Sequence, residues 1–85
     1  MNYTDSTYQL AQKALADLKS AIHILLNHAG ENGLTNSEIG KTLGIYHGHS
    51  GNHEGHIPRA LLEIMKTEGV VFQDASTKKW IIKRI

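Results

Sequence analysis

Eighty-five residues suffice for one domain with a small core, and a mixture of 40% hydrophobic and 20% charged residues argues against a disordered chain. The absence of cysteine excludes disulfide staples and thiolate zinc sites. A net charge of +1 is too small to mark the whole surface as a polyanion binder, so the position of the charge carries the information.

The first residues, Met1 to Ser6, lack the basic start and apolar run of a signal peptide, and no apolar run approaches membrane-spanning length. The expectation is a cytoplasmic protein with no membrane partner. From about Thr7 to Ala29 the chain reads as a helix, capped by Asp5, Ser6 or Thr7 and stopped by Gly30 and Gly33. Tyr8, Ala11, Leu15, Leu18, Ile22, Leu25 and Ala29 recur at alternating spacings of three and four, which is a heptad seam. Leu10, Ala14, Ala21 and Leu26 widen the stripe. The part from about Asp17 is expected to pack in the domain. The part before it overhangs, so residues 1–17 form a helical extension suited to a homodimer or to a fused partner domain, and residues 18–85 form the folded unit. A helix bent back on its own core is the plainer alternative.

Leu34-Thr35-Asn36-Ser37-Glu38 opens a second helix. Thr35 and Glu38 have the spacing of a capping box, and Leu34 and Ile39 that of a hydrophobic staple. Ile39 and Leu43 share one face, and Gly44 ends the helix. A third helix ends at Gly69 and starts between Gly55 and Ile57, because Pro58 belongs in a first turn. Its buried stripe is expected to be Ile57, Leu61, Leu62, Ile64 and Met65. The runs Val70–Gln73 and Trp80–Lys83 then form a hairpin around Asp74–Lys79, with Phe72, Trp80 and Ile82 facing the helices. The fold class is mainly α with a small β-hairpin.

Positive charge collects at the end of the chain. Residues 1–34 and 35–58 each carry a net −1, whereas Arg59, Lys66, Lys78, Lys79, Lys83 and Arg84 against Glu63, Glu68 and Asp74 give residues 59–85 a net +3. That is where a third helix and a hairpin would meet phosphate. Between the second and third helices, Tyr46 to His56 holds four of the six histidines and three of the eight glycines. Three readings of this loop stay open. It can contact phosphate and base edges through His47, His49, Ser50, Asn52, His53 and His56, with glycines allowing close backbone approach. It can bind zinc or nickel through His47, His49, His53 and His56 beside Glu54, although the spacing matches no defined structural zinc motif. It can be only an elongated turn. No nucleophile elbow, phosphate loop or paired-carboxylate motif is present, so neither catalysis nor a cofactor is expected.

Residues Leu34 to Ile45, Leu61 to Val71 and Lys78-Lys79-Trp80 resemble the bacterial winged helix-turn-helix superfamily over Leu18 to Ile82, roughly three quarters of the chain. The resemblance implies three helices plus a wing, here with an extended N-terminal helix. Members act as transcription regulators, as DNA-reading domains of nucleases and recombinases, and sometimes as protein-docking modules. It implies that His53, His56, Arg59, Ala60 and Glu63 face a DNA groove and that Ser76, Thr77, Lys78 and Lys79 form the wing. Arg59 is then the candidate for a bidentate guanine contact, and Lys78 and Lys79 are candidates for phosphate. The long His/Gly loop departs from the superfamily's short turn.

Overall fold

A computed structural model describes residues 3–47 and 54–84. Its elements are α1 (Tyr3–Ala29), a short 3-10 turn (Gly30–Asn32), α2 (Asn36–Leu43), α3 (His56–Thr67), β1 (Val71–Gln73) and β2 (Trp80–Ile82). The fold is therefore mainly helical with a small antiparallel hairpin.

At 1.5 Å rise per residue, the 27 residues of α1 run for about 40 Å, most of the 48 Å longest extent of the chain. It begins at Tyr3, ahead of the expected start. Asp5, Ser6 and Thr7 therefore lie inside the helix, and the Thr7 hydroxyl donates back to the Thr4 carbonyl at 2.9 Å. Ile22 and Leu26 are fully buried, while Leu15, Leu18 and Leu25 pack on the core from partly exposed positions. Tyr8 and Leu10 are 67% and 69% exposed, and Ala11 and Ala14 are exposed as well. One helix face thus serves the core in its second half and stands in solvent in its first.

Helix α2 is fixed by local chemistry. The Glu38 amide donates to the Thr35 hydroxyl at 3.1 Å and the Thr35 amide to the Glu38 carboxylate at 2.8 Å, closing the capping box. At its other end Gly44, with φ 74°, permits the paired bonds Ile45 N–H to Gly40 O and Gly44 N–H to Lys41 O. The same pattern ends α3, where Val70 N–H reaches Met65 O and Gly69 N–H reaches Lys66 O.

Helix α3 starts at His56 and seats Pro58, Leu61, Leu62 and Met65 in the core. Ile57 and Ile64, expected in that stripe, are 44% and 39% exposed. Pro58 is the reason: it is buried at the third helical position, and its phase turns Ile57 and Ile64 to the rim. In the hairpin Val71 pairs with Ile82, Phe72 with Ile81 and Gln73 with Trp80. Side chains alternate along a strand, so Val71, Trp80 and Ile82 face inward and Phe72 turns out, 43% exposed, against expectation. Leu34 bonds both ways with Trp80, N–H to O at 3.1 Å and O to N–H at 2.7 Å. The α1–α2 connection thereby borders β2 as a third extended segment.

Candidate functional site

The start of α2, Tyr46, one side of α3 and the hairpin enclose a cleft of about 430 Å³. Its walls are Thr35, Asn36 and Ser37 from α2, Arg59 and Glu63 from α3, and Gln73, Lys78 and Trp80 from the hairpin, with Tyr46 at one end. Arg59 and Glu63, four residues apart, share one face of α3. The capping box uses the amides of Thr35 and Glu38; those of Asn36 and Ser37 lie in the first turn, where a helix has no carbonyl to offer them.

Tyr46 is the principal residue that sequence reasoning overlooked. A Cβ on Gly40 would lie 2.8 Å from its ring and 2.9 Å from Pro58, and a Cβ on Gly55 would lie 2.6 Å from its ring and 2.7 Å from the Asn36 amide nitrogen. The two glycines thus form the slot that holds the ring, and Lys41 Nζ stands 5.3 Å from the ring centroid. No local signal marks it in the sequence, because these glycines lie six residues before it and nine after, beyond Gly44 and Gly48. Gly55, with φ 81°, caps α3, and its carbonyl accepts from Asn36 Nδ2 at 3.1 Å and from the Arg59 amide at 3.2 Å. Asn36 therefore ties the start of α2 to the start of α3. Its Oδ1 is enclosed and has no hydrogen-bond partner among the described residues.

The hairpin tip is built around one carboxylate. Asp74 Oδ1 accepts from the Ser76 amide at 2.8 Å, the Ser76 hydroxyl at 2.7 Å and the Thr77 amide at 2.9 Å. These donors, the Thr77 amide foremost, hold the Asp74 carboxyl down at about 2. Asp74 N–H to Lys79 O and Lys78 N–H to Asp74 O, both 2.8 Å, close the loop, and Gln73 Nε2 donates to Lys78 O at 3.0 Å. Lys78 takes the left-handed backbone, φ 65°, and its side chain borders the cleft.

The candidate contact residues separate accordingly. Arg59 and Lys78 are brought to the same cleft from two elements. Lys79 is half-buried, and its charge acts on Glu38, whose carboxyl is lowered chiefly by the Thr35 amide, then by the Thr35 hydroxyl, and by Lys79 last. His56 is the exposed first residue of α3. His47 Nε2 donates to Gly44 O at 2.9 Å, which places this ring on the end of α2. His49, Ser50, Asn52 and His53 lie outside the described residues. Among the described residues no three His, Asp or Glu side chains gather as a metal would require, and no helix is long and apolar enough to cross a membrane.

Comparison with protein-family models, curated proteins and solved structures gives no match for this chain.

Proposed function

We propose that this chain is a winged helix-turn-helix protein that binds double-stranded DNA, with the exposed side of α3 in the major groove and the Asp74–Lys79 tip as the wing on the backbone. The observation that carries the reading is the convergence of Arg59 and Lys78, from helix and hairpin, on one cleft that the start of α2 also lines. An arginine fork suits the N7 and O6 of guanine, and a lysine and helix-start amides suit phosphate. Lys79, His47 and His56 are further candidates for contact in this reading. The role is that of a small cytoplasmic transcription regulator or of the reading head of a nuclease or recombinase. Residues 1–17 supply the contact to a second copy or to a fused domain. Selection of bound duplexes from a random pool, at low and at physiological salt, tests the reading: enrichment of a common sequence supports it, and recovery of no duplex at low salt refutes it.

A second reading has its own observation. Tyr8 and Leu10 stand in solvent on α1, which favours a protein-docking module that uses the same fold without DNA. Recovery of a protein partner by a chain that binds no duplex would decide for it.

A further inference from the structure

The solvent side of α3 is divided into two lines. Arg59, Glu63 and Lys66 recur at spacings of four and three along one; Ile57, Ala60 and Ile64 recur at three and four along the other. Pro58, Leu61, Leu62 and Met65 already fill the core from this helix, so the interior does not account for two isoleucines that are 44% and 39% exposed. Ile64 also walls a shallow, mostly apolar hollow with Glu63, Thr67 and Glu68.

We infer that Ile57, Ala60 and Ile64 read the 5-methyl group of a pyrimidine, that of thymine or 5-methylcytosine, beside the base pair met by Arg59 and Glu63. The inference rests on the DNA reading above and specifies what that surface selects. The methyl is the apolar feature on the floor of a major groove, and aliphatic side chains are its complement. Ala60, short and central in the line, allows the base edge to approach, while the isoleucines flank it. On the adjoining line Arg59 can donate to guanine N7 and O6, and Glu63 can accept from cytosine N4.

Charge favours a duplex as the occupant of this face. Glu68, beside the hollow, is held by Lys19 at 2.8 Å, so its charge is compensated within the chain. Arg59, Lys66 and Lys78, all exposed, then outnumber Glu63 on the side offered to a polyanion. An apolar peptide would use the hollow but would make no use of Arg59 and Lys78.

The test uses the full chain and the tightest duplex from the random pool. Each thymine is replaced in turn by uracil, which deletes the methyl and keeps every hydrogen-bonding group; separate duplexes carry 5-methylcytosine for cytosine. At one position loss of the methyl should weaken binding about fourfold, the worth of one buried methyl-sized group. Ile57→Ser together with Ile64→Ser should abolish that difference and leave the salt dependence unchanged. Circular dichroism checks that this variant folds, as the exposure of both residues leads us to expect. A gain in affinity on methylating one cytosine would assign the methyl to 5-methylcytosine; equal affinity for thymine and uracil duplexes and for cytosine and 5-methylcytosine duplexes at all positions, with binding intact, overturns the inference and leaves DNA binding standing. Failure of every duplex to bind at low salt overturns both.

Discussion

Gly55→Ala is the most discriminating perturbation of the cleft. The new methyl group would lie 2.6 Å from the Tyr46 ring and 2.7 Å from Asn36 Nδ2, at a residue with φ 81°. Gly44→Ala supplies the control: its φ is 74°, and nothing stands within 4 Å of the added Cβ. Both variants incur the left-handed penalty of about 1–2 kcal/mol, and both lose the extra freedom of glycine in the unfolded chain, which offsets part of it. The difference between them isolates the clash, about 1–3 kcal/mol for forcing a packed ring and amide aside. For a domain of this size each kcal/mol lowers Tm by about 4–8 °C, so Gly55→Ala should melt several degrees to about 20 °C below Gly44→Ala. Thermal and urea melts followed by circular dichroism provide the measurement. Equal melting of the two variants would show that Tyr46 and Asn36 do not hold the slot, and the account of how the cleft is built would fail.

Thr35→Ala should cost about 1 kcal/mol through loss of the capping box, measured as a lowered urea midpoint with unchanged slope. Arg59→Ala should weaken binding at a selected site by about 1–3 kcal/mol and relax the base preference there, whereas Lys78→Ala should weaken all duplexes alike and reduce the salt slope by about 0.9. Lys79→Ala should change that slope less, because its side chain is half-buried. Binding titrations across salt concentrations separate these cases. Asp74 titrates lower in the folded chain, about 2, than its ordinary 3.8. Its contribution to the tip is therefore complete above the ordinary value and fades as pH falls from 3.8 through about 2. Protection of the Ser76 and Thr77 amides, taken relative to their intrinsic exchange, should fall across that interval, and Asp74→Asn should remove that change in protection.

Local chemistry was the legible part of the chain. The capping box at Thr35 and Glu38, the glycine stops at Gly44 and Gly69 and the start of α3 beside Pro58 each depend on residues within one turn of each other. What escaped the sequence depends on partners far along the chain. Phe72 and Val71 are equally strand-like; only the pairing of Val71 with Ile82 decides which of them turns inward. Ile57 and Ile64 read as core because they are apolar at helical spacing, yet burial of Pro58 sets the phase of α3 differently. Tyr46 carries no motif, and its place in the cleft arises from glycines six residues before it and nine after. Of the candidate contact residues, Arg59 and Lys78 are gathered at the cleft, whereas His47 is occupied with Gly44 O.

The two-way pairing of Leu34 with Trp80 has a mechanical corollary. A hairpin of three-residue strands would by itself be a loose flap, free to rotate about its base. Here the linker immediately before α2 is bonded to β2, which restrains the base of the hairpin against the start of that helix. A ligand that touches both surfaces meets a preshaped template, and little conformational entropy is lost on association.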